Sequence, residues 1–90
     1  MTVVARHVVV HGQVQGVFFR EMTRRRARRV AVAGWVRNND DGTVEAWFEG
    51  EPDDVEVMVH FAGIGPSGAH VRSVDVEDVE PEDLHDFEVR

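Results

Sequence analysis

Cysteine, tyrosine and lysine are all absent from this 90-residue sequence. Without cysteine the chain can form no disulfide, has no thiolate nucleophile and offers no thiolate ligand to a metal. The five histidines form no evident metal-binding set, because His7 and His11, on one face of a predicted strand, stand about 13 Å apart at about 3.3 Å per residue. We therefore expect no metal and no cofactor, and a fold stabilised by packing alone.

Long hydrophobic runs are also missing. No apolar stretch approaches the roughly 20 residues that a membrane-spanning helix needs. Residues 1–3 lead directly into a predicted strand, without the charged start, apolar centre and cleavage site of a signal peptide. With 42% hydrophobic residues, residues 1–90 suffice for one small domain. We expect a cytoplasmic monomer that does not bind membranes.

Positive charge is scarce, and the net charge of −7 argues against nucleic acid as a partner. The basic residues are nevertheless clustered, with six of them between positions 20 and 29: Arg20, Arg24, Arg25, Arg26, Arg28 and Arg29. A solvated helix face and a nucleic-acid surface both explain this cluster. The first is favoured, because Trp47 alone does not supply the several exposed aromatics of an RNA-recognition sheet.

The most informative stretch is 12–20, which reads Gly-Gln-Val-Gln-Gly-Val-Phe-Phe-Arg. It follows a valine-rich run and precedes a segment of helix formers, which predicts a strand, a loop and a helix start. Gly12 and Gly16 permit backbone angles that a Cβ disfavours, and the first helical turn adds unpaired N–H groups. Arg20 supplies a cation whose planar fork matches two phosphoryl oxygens. The segment therefore predicts a phosphate-binding loop, and an ordinary turn between strand and helix is the alternative that the glycines alone leave open.

The rest of the pattern predicts seven elements. Residues 3–11 form a strand whose Val8 and Val10 face the helices, and a helix follows with its buried stripe at Phe19, Thr23, Ala27 and Val30, widened by Met22. The helix is predicted to end near Val30 or Ala31. Residues 34–38 and 43–49 form a hairpin around a turn at 39–42. A second helix follows Pro52, a fourth strand contains Val71, Val74 and Val76, and a short strand contains Phe87 and Val89.

This order, strand, helix, strand, strand, helix, strand, predicts an α+β fold of the ferredoxin-like type. Its antiparallel sheet carries two helices on one face and gains a short extra C-terminal strand. Trp35 and Trp47 are predicted to pack on the open sheet face. The fold alone does not define a function, because regulatory and RNA-binding modules share it.

Two segments resemble the signatures of the acylphosphatase family. The first is Gly12-x-Val14-Gln15-Gly16-Val17-x-Phe19-Arg20, and the second is Gly34-Trp35-Val36-Arg37-Asn38-x-x-x-Gly42-Thr43-Val44. They occur in the order and at the separation found in the family, and similarity at single positions runs from about Val8 to Val89. Members commonly have glycine where this chain has Ala31, at a left-handed helix end.

The resemblance implies hydrolysis of acyl phosphates to carboxylate and inorganic phosphate, without a metal. It further implies that Arg20 and the backbone N–H groups of Gln15, Gly16, Val17, Phe18 and Phe19 hold the phosphoryl group. Asn38 would orient the attacking water, while Gly12 and Thr43 would have supporting roles, Thr43 by holding the Asn38 amide. Inorganic phosphate or sulfate would compete with the small-molecule substrate for the loop.

The residues alone leave other interpretations open. Arg20 could form a surface salt bridge with Glu21 or Glu45. Asn38 could serve only as a turn former, and Thr43 could be an ordinary strand residue. The alternative function is a non-catalytic ferredoxin-like module that binds an anion or a partner. No general base is evident, which suggests that a substrate phosphate oxygen accepts the proton of the water.

Overall fold

The computed structural model describes residues 2–90. Its elements, in chain order, are strand β1 (Val4–Gln13), helix α1 (Phe19–Arg29), strands β2 (Ala33–Asn38) and β3 (Val44–Gly50), helix α2 (Pro52–Ile64), and strands β4 (His70–Val79) and β5 (Phe87–Val89). All seven predicted elements are confirmed. β1 and β4 are longer than predicted, because their pairing continues through the bulge at the end of β1.

The five strands form one sheet in the order β4-β1-β3-β2-β5. β1 pairs antiparallel with both β3 and β4, and β2 pairs antiparallel with β3. The predicted ferredoxin-like arrangement is confirmed, with one refinement. β5 runs parallel to β2, with Gly34 opposite Phe87, so the sheet is mixed rather than wholly antiparallel.

The hydrophobic core lies between one face of this sheet and the two helices. Val8 and Val10 of β1 are fully buried there, as predicted, and Met58 of α2 packs into the same cluster. The α1 stripe contributes Phe19 and Ala27. Its polar member, Thr23, is buried at low cost because its hydroxyl donates a hydrogen bond to Phe19 O at 2.7 Å.

The opposite sheet face carries the two tryptophans, as predicted. Trp35 and Trp47 are register partners on β2 and β3 and stack with ring centroids 6.5 Å apart. Glu49 lies on the same face and is 3% exposed. Its carboxylate accepts hydrogen bonds from the Trp47 indole at 3.0 Å and from the backbone N–H groups of Glu82 and Leu84, each at 2.9 Å. This carboxylate holds the segment before β5 against the sheet.

Helix α1 ends in a left-handed residue that is not glycine. Ala31 has φ 59°, its N–H donates to Arg28 O at 3.4 Å, and the Val32 N–H donates to Ala27 O at 2.8 Å. This pair of bonds is the Schellman motif, which usually has glycine at the left-handed position. The backbone thus adopts with alanine a left-handed shape that favours glycine, at a cost of about 1 kcal/mol.

Within residues 2–90, no helix is long and apolar enough to cross a membrane.

Candidate active site

The predicted phosphate-binding loop spans the residues between β1 and α1. A bulge between His11 and Gly12 shifts the register of β1 against β4. Gly12 has φ 133°, and a Cβ there would lie 2.1 Å from His70 O, so this position requires glycine. Val14 follows with its side chain fully buried in the core. The bulge and this anchor fix the direction in which the loop leaves the sheet.

The backbone N–H groups of this loop have no hydrogen-bond acceptor within residues 2–90. Gly16 and Phe18 both have positive φ, 76° and 61°, and Phe18 is the N-cap of α1 without a side-chain cap. The first intrahelical bond runs from Met22 N to Phe18 O. Within residues 2–90, no backbone N–H from residue 15 to residue 21 donates a hydrogen bond. Together with the positive end of the helix dipole, these N–H groups suit an anion.

The Gln15 side chain has a role that the sequence did not reveal. Its Nε2 donates hydrogen bonds to Asn39 O at 2.8 Å and to Thr43 O at 3.0 Å. The loop is therefore tied to the turn between β2 and β3, immediately after Asn38. No local pattern signals this contact, because its two ends are more than 20 residues apart in the chain.

Arg20 is exposed in the first turn of α1 and forms no ion pair within the described residues 2–90. Glu21, one of its two expected partners, is instead engaged by Arg24, at 2.8 and 2.6 Å, and by Arg25 at 3.1 Å. The hydrogen bonds from Arg24 lower the pKa of Glu21 to about 2. Glu21 therefore stays ionised and paired at neutral pH.

The second expected partner is occupied as well. Glu45 accepts hydrogen bonds from Arg37 at 2.8 and 3.0 Å, and it pairs with His7 at 2.6 Å. The surface salt-bridge interpretation of Arg20 is therefore wrong for both carboxylates. A cation at the positive end of a helix, without a carboxylate partner, favours an anionic ligand.

Asn38 closes β2 opposite Val44 and is half-buried. Its Oδ1 is buried and accepts no hydrogen bond from the described residues. A buried amide oxygen without a donor is uncommon in folded proteins. Such an oxygen is suited to accept a hydrogen bond from a ligand or from a bound water.

The expected contact between Thr43 and the Asn38 amide is wrong. The Thr43 hydroxyl accepts a hydrogen bond from Asn39 Nδ2 at 2.9 Å and donates one to Asp41 Oδ1 at 2.6 Å. The Thr43 hydroxyl and the Thr43 backbone N–H both donate to Asp41 Oδ1, and these two bonds lower the pKa of Asp41. Thr43 thus orders the β2–β3 turn. Its hydroxyl bonds to the Asn39 amide, and not to the amide of the adjacent Asn38 as predicted.

Arg20 and Asn38 line one open pocket of about 460 Å³. The remaining lining residues are Val14, Gly16, Phe18, Phe19, Glu21, Arg24 and Val89. Arg24 follows Arg20 by one helical turn, so helical spacing alone could have indicated it. Val89 reaches the pocket through the pairing of β5 with β2, and no sequence signal foretold that pairing. A larger groove of about 590 Å³ lies between α1 and α2 and contains neither Arg20 nor Asn38.

Two further arginines of the basic cluster, Arg26 and Arg28, contact other parts of the protein. Arg28 donates to Phe87 O at 3.1 Å and to Asp86 at 3.4 Å, and the Arg26 guanidinium lies 4.7 Å from the centre of the Phe61 ring. Arg26, Arg28 and Arg29 are nevertheless exposed, in agreement with a solvated helix face. Among residues 2–90, no group of three or more potential metal-ligating side chains is assembled.

Comparison with known proteins identifies a family. The family model described as Acylphosphatase matches residues 6–89. The chain is similar to an acylphosphatase of Haloarcula marismortui, with 55% identity over 84 residues, which are 93% of this chain and 92% of the relative. Among solved structures, an acylphosphatase from Coxiella burnetii has a TM-score of 0.93 at 41% identity, covering 98% of this chain and 93% of that one. The Bacillus subtilis acylphosphatase has a TM-score of 0.93 at 32% identity, covering 97% and 98%.

Proposed function

The chain belongs to the acylphosphatase family and hydrolyses acyl phosphates, and we propose that Arg20, the loop N–H groups and Asn38 carry out the reaction. One observation supports this assignment above the others. The start of α1 and the end of β2 bring Arg20 and Asn38 to the same pocket, beside loop N–H groups that donate no hydrogen bond within residues 2–90.

The phosphoryl group binds at the loop. The N–H groups of Gln15, Gly16, Val17, Phe18 and Phe19 and the guanidinium of Arg20 donate hydrogen bonds to its oxygens. These donors are already oriented by the bulge, the buried Val14 and the helix start, so little reorganisation accompanies the reaction. Fixed donors of this kind stabilise the charge on the phosphoryl oxygens in the transition state.

Asn38 positions the nucleophile. Its buried Oδ1 accepts a hydrogen bond from a water, whose oxygen attacks phosphorus while the bond between phosphorus and the acyl oxygen breaks. The carboxylate leaves, and the proton of the water passes to a phosphate oxygen. Because a carboxylate is a good leaving group, positioning and charge stabilisation are sufficient, and no covalent nucleophile is needed.

The site of bond cleavage can be tested with isotopically labelled water. Hydrolysis of acetyl phosphate in H₂¹⁸O should place the label in inorganic phosphate, as detected by the isotope shift in the ³¹P spectrum. Label in the acetate would instead show attack at the carbonyl carbon and would contradict the proposed mechanism. A protein that neither hydrolyses acetyl phosphate nor accelerates exchange of ¹⁸O from water into phosphate would favour the non-catalytic alternative.

We further propose that residues 1–90 act as one domain and as a monomer in the cytoplasm, with inorganic phosphate and sulfate as competing ligands and without nucleic-acid or membrane partners. Residues 2–90 share one hydrophobic core and one sheet spanning β1 to β5, which supports the first part of this proposal. Light scattering after size exclusion tests the monomer directly, and a mass near twice 10.2 kDa would contradict it.

A further inference from the structure

Phe18 stands out among the apolar side chains of the protein. It is 81% exposed, although its neighbours in the sequence are less exposed: Val17 is half-buried and Phe19 is buried. Its backbone is left-handed, with φ 61° and ψ 24°, a conformation uncommon for residues other than glycine, asparagine and aspartate. The fold therefore presents a large aromatic ring to solvent at the entrance to the active site.

The ring joins two pockets. Phe18 lines the active-site pocket and also a second, shallower pocket of about 350 Å³. Val17, Met22 and Pro66 supply the apolar wall of that second pocket, and Glu21, Arg25 and Ser67 complete its lining. An apolar surface thus begins at the phosphate-binding loop and continues past Phe18.

The two charged side chains that line the second pocket contact each other. Glu21 and Arg25 form an ion pair at 3.1 Å, and Glu21 also holds Arg24 at 2.6 Å. Apart from Glu21 and Arg25, the lining of the second pocket is uncharged. The surface suits an uncharged, apolar group.

We infer that Phe18, with Val17, Met22 and Pro66, forms the subsite for the acyl group, and that the enzyme selects acyl phosphates with aromatic or bulky apolar acyl groups. The inference rests on the proposed position of the phosphoryl group in the loop. With that group fixed at the N–H groups of residues 15–19, an acyl group placed toward Phe18 covers the exposed ring. Contact with the Phe18 ring favours acyl groups that carry an aromatic ring over small acyl groups such as acetyl.

The test compares two substrates across matched variants. For wild type, Phe18→Ala and Phe18→Tyr, kcat/KM is measured with benzoyl phosphate and with acetyl phosphate. Phe18→Ala should lower the ratio of benzoyl to acetyl kcat/KM about 3- to 10-fold, mainly through KM, and Phe18→Tyr should restore it. Val57→Ala removes an exposed apolar side chain on α2, in the other groove, and should leave the ratio unchanged.

A ratio that Phe18→Ala does not change would overturn the inference, even if both rates fall together, because equal losses indicate only a structural role. A second measurement uses the wild type and does not depend on the folding of any variant. Benzylphosphonate should inhibit acetyl phosphate hydrolysis several-fold more strongly than methylphosphonate and should shift the Phe18 ring resonances. Equal inhibition by the two phosphonates would also overturn the inference. Failure of the proposed function has a different signature. Either neither substrate is hydrolysed, or the ¹⁸O label appears in the carboxylate product.

Discussion

Glu21 and Arg24 form a two-pronged ion pair, with Arg24 Nε and Nη2 donating to the two carboxylate oxygens of Glu21 at 2.8 and 2.6 Å. The pair connects neighbouring turns of α1 directly beside Arg20. By engaging the adjacent carboxylate, Arg24 leaves Arg20 without an acidic competitor in its own helix. The ion pair thereby keeps the proposed phosphate-binding guanidinium available.

Replacing Arg20 should damage binding and turnover together. Arg20→Ala should lower kcat/KM for acetyl phosphate by about 10²-fold or more, on the scale of losing a positioned donor. Arg20→Lys should recover little, because an ammonium cannot reproduce the planar two-pronged contact. Arg29→Ala, at the far end of the same helix, is the matched control and should retain wild-type kinetics. Near-normal activity of Arg20→Lys would show that charge alone suffices and would remove the fork geometry from the mechanism.

Replacing Asn38 should separate binding from turnover. Asn38→Ala should still bind inorganic phosphate, seen as shifts of the residue 15–20 amide resonances on titration. It should nevertheless lose about 10²- to 10³-fold in kcat, because the water is no longer positioned. Asn39→Ala is the matched control and should keep a kcat near that of wild type, since the Asn39 side chain contacts Thr43 in the turn. If Asn38→Ala is folded and turns over at the wild-type rate, another group must orient the water.

Chelation should not affect the rate. The proposed reaction uses fixed N–H donors and a guanidinium, so benzoyl phosphate hydrolysis should be the same with and without EDTA. Benzoyl phosphate hydrolysis, followed by ultraviolet absorbance, should also show competitive inhibition by phosphate or sulfate. Activity lost in EDTA and restored by a divalent ion would require a metal in the mechanism, and noncompetitive inhibition by phosphate would place the anion outside the loop.

The Glu49 carboxylate should stabilise the fold in a pH-dependent way. Burial raises the pKa of Glu49, but hydrogen bonds from the N–H groups of Glu82 and Leu84 and from the Trp47 indole outweigh it and lower the pKa below 4.5. Since the pKa is lowered on folding, the stabilisation is present above the ordinary pKa and is lost as pH falls through the lower folded value.

Glu49→Gln should therefore lower the free energy of unfolding by about 2 kcal/mol at pH 7, with a smaller difference from wild type at pH 3. Urea denaturation at the two pH values measures both quantities. Glu80→Gln, an exposed acidic residue in the same C-terminal segment, should have little effect at either pH. A difference for Glu49→Gln that is as large at pH 3 as at pH 7 would show that ionisation of this carboxylate is not involved.

Ala31 offers a stabilising substitution. Because Ala31 is left-handed with φ 59°, Ala31→Gly should raise the free energy of unfolding by about 1 kcal/mol, which corresponds to a rise in Tm of about 4–8 °C in a domain of this size. Ala31→Val should lower it, because a β-branched side chain tolerates positive φ poorly. Differential scanning calorimetry of the three proteins should give the order Gly, Ala, Val. The reverse order would show that the helix end adopts another conformation in solution.

The parts of the fold that sequence predicted depend on local periodicity and on the two motifs. Val8 and Val10 alternate along β1, and Phe19, Thr23 and Ala27 recur at helical spacing, so their burial follows from residues a few positions apart. Arg20 and Asn38 were found because they belong to long, ordered motifs, and the structure brings both to one pocket.

The features that sequence missed depend on contacts between distant parts of the chain. Gln15 bonds to carbonyl oxygens 24 and 28 residues away, and Glu49 bonds to N–H groups 33 and 35 residues away. Val89 enters the pocket only because β5 adds to the sheet beside β2. The misassigned Thr43 contact has a different origin, since two adjacent asparagines compete for one hydroxyl and only the backbone turn decides between them.

The pairing of β1 with β4 has a consequence for how the enzyme becomes active during folding. Val8 is opposite Val76, and the bulge that starts the phosphate-binding loop forms where Gly12 meets Val71. Bringing together segments about 60 residues apart closes a longer loop than forming α1 or the β2–β3 hairpin, and such long-range pairing is expected to be slower. A partly folded chain in which α1 and the β2–β3 hairpin have formed, but β4 has not docked, would possess Arg20 and Asn38 without the bulge that orients the loop. Catalytic competence should therefore appear in refolding kinetics only with the last, rate-limiting phase, later than the recovery of helical signal.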